Sequence, residues 1–149
     1  MFNNKTKVMK TKIETSIIIS GTPEQVWHVL MDFKSYYEWN PFIVNIKGKP
    51  IVGEKLEVKF EKMTFKPKVV RVENNHIFEW KGKLLFGGLF DGKHTFEIKK
   101  LDNNRVELIQ KENFSGLLIP FMNNMIHIET KGNFIKMNEA LKKRVEAIN

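Results

Sequence analysis

The chain has no cysteine. Disulfide bridges, thiolate metal sites and a cysteine nucleophile are therefore excluded, and the usage is that of a reducing compartment, so the expected location is the cytoplasm. Long apolar runs are also lacking. The longest, Leu117-Leu118-Ile119-Pro120-Phe121-Met122, falls far short of the ~20 residues a membrane span needs, so no stable membrane insertion is expected. The first ten residues carry lysines but no apolar core, which is not the pattern of a secretory signal. Met9 is a candidate natural start, and residues 1–9 are expected to be a disordered extension. Acidic residues are the scarcer charge: 17 Asp and Glu against 25 Lys and Arg leave a net charge of +8. The lysines are scattered among apolar and acidic residues, as on a solvated face, and no nucleic-acid partner is expected. The four histidines, His28, His76, His94 and His127, form no close pair, so neither a metal nor a cofactor is expected. Gly82 and Gly87 have phosphate-loop spacing, but Gly88-Leu89 follows where Lys-Ser/Thr is required. These glycines read instead as a mobile hairpin at a cavity mouth. No Gly-x-Ser-x-Gly elbow occurs.

What the chain does have is 42% hydrophobic and 28% charged residues over 149 positions, the balance of one globular unit with a sizeable core. Residues 10–149 are expected to form a single domain. Lys10 to Ile19 alternates as a strand, with Ile13, Ile17 and Ile19 on one face. Thr22-Pro23-Glu24-Gln25 is a helix start with a capping box, and Tyr36 to Trp39 is a second short helix ended by Asn40-Pro41. The period then becomes two. Phe42, Val44 and Ile46 alternate, as do Leu56, Val58 and Phe60. A strand is expected over Phe65 to Val72, with Pro67 marking an edge or bulge. After the Asn74-Asn75 turn, another strand carries Phe78 and Trp80. His94, Phe96 and Ile98 share a face of the next strand. Val106, Leu108, Gln110, Glu112 and Phe114 share a face of the last, beyond a turn at Asp102-Asn103-Asn104. From Ile119 to Ile148 the period is helical, with a stripe of Phe121, Met122, Met125, Ile128, Phe134, Met137, Leu141, Val145 and Ile148, and Gly132 is expected to bend or loosen the middle. The fold class predicted is α+β, a curved antiparallel sheet of about six or seven strands wrapped on a long C-terminal helix.

Four strings carry a family resemblance: Thr22-Pro23-Glu24-Gln25-Val26-Trp27, Asp32-Phe33 through Trp39-Asn40-Pro41-Phe42, Gly92-Lys93-His94-Thr95-Phe96, and Glu112-Asn113-Phe114-Ser115-Gly116. With the element order, they resemble the START-related helix-grip (SRPBCC) superfamily in its polyketide cyclase/dehydrase-like branch. The resemblance runs from about Lys10 to the end. It implies a hydrophobic cavity between sheet and helix, whose occupant would be a lipid, sterol, isoprenoid or polyketide-like molecule.

Candidate cavity-lining residues from the sheet and its approaches are Trp39, Asn40, Phe42, Leu56, Val58 and Phe65, followed by Trp80, Phe90, Phe96 and Gln110. Phe121, Met125 and Met137 are the candidates from the helix. Three polar residues, His94, Gln110 and Glu112, fall on an otherwise apolar face, and the hairpin brings His94 opposite Gln110 or Glu112. A histidine and a carboxylate facing inward are costly unless paired, hydrated or used. Three roles are open: a satisfied buried pair, a ligand-orienting pair, or acid/base catalysis with His94 and Glu112 moving a proton while Gln110 donates to a carbonyl oxygen. A binding protein, a cyclase or dehydratase, and a co-chaperone or anionic-membrane adaptor are the functional classes these readings span. The oligomeric state is open.

Overall fold

The structure is a computed structural model, and it describes residues 9–83 and 90–148. Its elements are β1 (Met9–Ser20), α1 (Pro23–Met31), a 3-10 turn (Phe33–Ser35), α2 (Tyr36–Trp39), β2 (Ile43–Lys47), β3 (Glu57–Phe60), β4 (Thr64–Phe65), β5 (Lys68–Glu73), β6 (Ile77–Lys83), β7 (Asp91–Asp102), β8 (Arg105–Gly116) and a C-terminal helix over residues 119–146. Among the described residues the strands number eight. Five form an antiparallel sheet in the order β1-β8-β7-β6-β5, and β2-β3-β4 form a small second one. This is the helix-grip fold. No described helix is long and apolar enough to cross a membrane. Of the expected extension, residues 1–8 lie outside the described residues, while Met9 already pairs with Gly116. Gly87 and Gly88 of the expected mobile hairpin also lie outside them.

Local chemistry explains the boundaries. The Thr22 hydroxyl accepts from the Gln25 backbone N–H at 3.3 Å, and the Gln25 side-chain oxygen accepts from the Thr22 N–H at 2.9 Å. This reciprocal cap stabilises α1 by about 1 kcal/mol. Pro67 splits the expected Phe65–Val72 strand. Having no N–H to donate, it marks the point where the chain leaves the small sheet and enters β5, the edge of the large one. In β2 a register shift between Ile43 and Asn45 turns Ile43 and Ile46 inward and leaves Val44 exposed, so the expected Phe42-Val44-Ile46 alternation does not hold. Asn75, at φ 63°, takes the left-handed position of the β5–β6 turn, which its short polar side chain tolerates.

The long helix departs from a uniform α-helix. It runs as α3 (Ile119–Asn124), a π-helical segment (Met125–Thr130) and α4 (Lys131–Glu146). The i→i+5 bonding of the middle segment rotates the phase of everything N-terminal to it. Ile119 and Ile126 are therefore buried, while the expected stripe positions Phe121 and Ile128 are 86% and 71% exposed. C-terminal to the segment the expected stripe is buried at Met137, Leu141 and Val145. The distortion ends at Thr130, before Gly132, whose surroundings are open.

The main core gathers Phe33 and Tyr36 from the helical stretch, Phe78, Trp80 and Phe96 from the sheet, and Leu141 and Val145 from α4. The Tyr36 hydroxyl, fully enclosed, donates to the Leu30 carbonyl at 2.7 Å. Burial pushes the Tyr36 phenol well above its ordinary range near pH 10, and nearby Asp32 adds to the rise. Above pH 10 the unfolded chain releases this proton and the folded chain retains it. Stability is therefore expected to fall as pH rises past 10, by up to about 1.4 kcal/mol per pH unit from this group. Urea titrations at pH 9, 10 and 11 should show that extra slope in the wild type and its loss in Tyr36→Phe. Equal slopes for the two proteins would contradict the burial argument.

Candidate functional site

Between the sheet and the C-terminal helix lies a cavity of about 410 Å³. Its floor is laid by alternation. Trp80 of β6, His94 and Phe96 of β7, and Gln110, Glu112 and Phe114 of β8 all point to the concave side, and the register pairs Phe96 with Gln110 and His94 with Glu112. The lid is the distorted helix. A five-residue step across the π-helical segment puts Met125 and Thr130 on the same side, and Asn133, Phe134 and Met137 continue the lining at α-helical steps. Phe42, Ile43, Phe60, Met63, Phe65 and Phe90 complete the wall. Phe65 lies against Gly82, where an added Cβ would come within 2.4 Å of the ring, so only glycine at 82 leaves this ring where it is.

Three polar side chains interrupt this apolar lining. His94 and Glu112 are 7% and 6% exposed, and His94 Nδ1 lies 2.6 Å from Glu112 Oε2. The two side chains are thus in direct contact across the β7–β8 ladder. The imidazole is held edge and face by rings, with centroids of Phe96 at 4.5 Å, Phe134 at 4.8 Å and Trp80 at 5.5 Å. Its other nitrogen, Nε2, is buried without a hydrogen-bond partner among the described residues. With Nδ1 turned to the carboxylate, Nε2 is the atom left to accept a proton from, or donate one to, a molecule in the cavity.

Gln110 is fixed by a buried chain. Its Nε2 donates to Asn138 Oδ1 at 2.7 Å, and Asn138 Nδ2 donates to Thr15 Oγ1 at 2.9 Å. Gln110 Oε1 is the buried atom left without a partner, so the amide offers an acceptor, not the expected donor. Each unpartnered buried polar atom costs about 1–3 kcal/mol, and two of them, His94 Nε2 and Gln110 Oε1, share one cavity wall.

Several expected lining residues stand elsewhere. Leu56, just before β3, and Val58 within it are fully buried in the main core and outside the cavity lining, which β3 reaches only at Phe60. Trp39 packs on Tyr36, centroids 4.8 Å apart, outside the lining. Asn40 is a turn-former: its Oδ1 accepts from the Phe42 and Ile43 N–H groups at 2.9 and 2.8 Å, which aims the chain into β2. Phe121 faces solvent because it lies two residues, about 200° around the helix, from buried Ile119. Phe42, Phe65, Trp80, Phe90, Phe96, Gln110, Met125 and Met137 do line the cavity. Thr15, Asn138 and Asn133 were not picked out. The signal was a polar residue on an apolar stripe: Thr15 between Ile13 and Ile17, and Asn138 four residues after Phe134. Among the described residues no group of three or more His, Asp or Glu is arranged to hold a metal ion.

The fold recurs in solved structures. Norcoclaurine synthase from Thalictrum flavum aligns with a TM-score of 0.76 at 15% identity, covering 96% of this chain and 98% of that one. The Zhui aromatase/cyclase of a Streptomyces species aligns at 0.70 and 14% identity, covering 93% and 94%. A START superfamily protein from Mycobacterium smegmatis aligns at 0.70 and 18%, covering 93% and 99%. At these identities the likeness is one of fold. No curated protein sequence matches significantly. The sequence profile described as polyketide cyclase/dehydrase and lipid transport matches residues 10–146. With that match over nearly its whole length and the cavity just described, the chain belongs to the polyketide cyclase/dehydrase and lipid transport family.

Proposed function

We propose that the protein binds a small hydrophobic molecule with one polar end, a lipid, sterol, isoprenoid or polyketide-like compound, in the cavity between sheet and helix. The observation that carries this reading is that His94 Nε2 and Gln110 Oε1, both buried without a hydrogen-bond partner among the described residues, lie on one wall of an otherwise apolar space, with Glu112 against the other nitrogen of His94. A volume of about 410 Å³ falls in the range of small-molecule sites, which run roughly 300–1,000 Å³ with a few placed polar groups among apolar ones. Burial of the apolar body supplies affinity, and the two unpartnered polar atoms recover hydrogen bonds when the ligand's polar end meets them. The cytoplasm is the proposed location.

A second reading rests on the His94–Glu112 pair. A carboxylate that holds one imidazole nitrogen leaves the other free for proton transfer, and Gln110 orients the reacting group beside it. On that reading the protein is a cyclase- or dehydratase-type enzyme working by proton transfer from the same cavity. Native mass spectrometry of the purified protein, with solvent extraction of what it carries, tests the binding claim. A co-purified apolar molecule, or one-to-one uptake of an apolar probe that persists in high salt, is the expected result. If no apolar compound is carried or taken up, the cavity is a packing feature and the proposal fails.

A further inference from the structure

Beside the cavity, on the outer side of the sheet, lies a groove of about 670 Å³ whose charged lining is Lys55, Lys66, Lys68, Lys81 and Lys83 against Asp91. The lysines scattered through the sequence are gathered here by strand register. Lys55 bridges Lys68, Lys68 stands opposite Lys81, and Lys81 stands opposite Lys93. Residues opposite each other share a face, with Cβ atoms about 4.5–5.5 Å apart, and like charges so placed destabilise a sheet. The row is little relieved. Lys93 reaches Glu79 at 3.6 Å and Lys66 reaches Glu57 at 3.7 Å, while Lys55, Lys68 and Lys81 form no ion pair among the described residues. Four successive lysines across four neighbouring chain segments break the ordinary rule that opposite charges alternate across strands, and such local costs concentrate at functional sites.

We infer that this groove is a binding site for a multiply charged phosphate-type anion, such as a di- or triphosphate group. Five lysines against Asp91, with Glu57 reaching one of them, leave an excess of positive charge in a small volume that a single carboxylate ligand does not match. Lysine ammonium groups are compact point charges suited to phosphate oxygens. The concave shape fits a small polyanion better than a flat bilayer. A nucleic-acid strand would want aromatic rings on the same surface for its bases, and the one aromatic ring of this lining among the described residues, Phe65, is buried. Met63 and Phe65 line both groove and cavity, so the two spaces share a wall. The phosphate group therefore has two possible sources, a free polyanion or the head of an apolar molecule whose body lies in the cavity. The second source rests on the proposed cavity function. The anion site itself does not.

The test is calorimetric titration of the full chain with inorganic tripolyphosphate, geranyl diphosphate and geraniol, in the wild type, in a Lys68→Gln/Lys81→Gln double variant and in Lys34→Gln, a lysine of the 3-10 turn outside the groove lining. Tripolyphosphate is expected to bind the wild type one-to-one at low salt, at least tenfold more weakly to the double variant, and unchanged to Lys34→Gln. Without ligand, the double variant should melt about 1–3 °C higher than the wild type at low salt, with the gain shrinking at 0.5 M salt as screening relieves the row. Geranyl diphosphate binding more tightly than both tripolyphosphate and geraniol would mark the anion as a head group. Tripolyphosphate binding with no response to geraniol would leave the anion site standing and count against the cavity reading. Equal tripolyphosphate affinity in wild type and double variant, or preference for a short RNA over tripolyphosphate, would overturn the inference.

Discussion

Phe78→Ala is expected to cost about 3–5 kcal/mol of stability and to lower the melting temperature by roughly 10 °C. Phe78 is 1% exposed on β6 and touches aromatic neighbours on three sides, with ring centroids of Trp80 at 5.7 Å, Phe33 at 6.1 Å and Phe96 at 6.5 Å. Removing its ring deletes contacts to the helical stretch and to two strands at once. Strands β6 and β7 are tied to their neighbours by continuous ladders, so the backbone can collapse into the void only partly. The contrast is Phe134→Ala. That ring already faces open cavity, so its loss enlarges an existing space and is expected to cost less than half as much. Urea denaturation of both variants checks the ordering. Equal losses would mean that the cavity is closed in solution and that Phe134 is ordinary core.

How legible the fold and site were depended on which residues carried the signal. The β7–β8 hairpin could be read because its alternation is long and its turn is marked by Asp102 and two asparagines; that narrowed the residue opposite His94 to Gln110 or Glu112, and the observed register puts Glu112 there. The α1 boundary could be read because Thr22, Pro23 and Gln25 each have a specific role at a helix start. The upstream half of the long helix was misread, because hydrophobicity at Phe121 and Ile128 looks the same whether the turn holds an α or a π pattern. That pattern is decided by packing against the sheet, and a one-residue change of phase moves a stripe to the other side. The β2 bulge misled in the same way, since a register shift leaves no mark in a run of apolar residues. Asn138 was overlooked because its meaning is non-local: only the fold brings it to Gln110 and Thr15. The lysine row is another feature of register, invisible to a count of charges along the chain.

The last expectation concerns the His94–Glu112 pair, where single variants mislead unless their costs are separated. His94→Gln takes the imidazole away from the buried Glu112 carboxyl group, and breaking a buried pair from one side costs about 3–5 kcal/mol. Glu112→Gln keeps the shape of the side chain and removes the charge, so it should cost less. The double variant His94→Gln/Glu112→Gln has no stranded charge and is expected to be more stable than His94→Gln alone, a coupling that thermal melts can measure as a cycle. Affinity gives the second axis. If the pair orients a ligand's polar end, Glu112→Gln should weaken binding about 10- to 100-fold, the worth of a charge-assisted hydrogen bond. If the pair moves a proton, turnover of a polyketide-like substrate should fall about 10²- to 10⁴-fold in either variant while affinity changes only a few fold. A structural pair would give neither result, only the loss in melting temperature. The three roles thus differ in which measured quantity moves, and Glu112→Gln separates them most cleanly because it is the variant that least disturbs the packing around Phe96, Phe134 and Trp80.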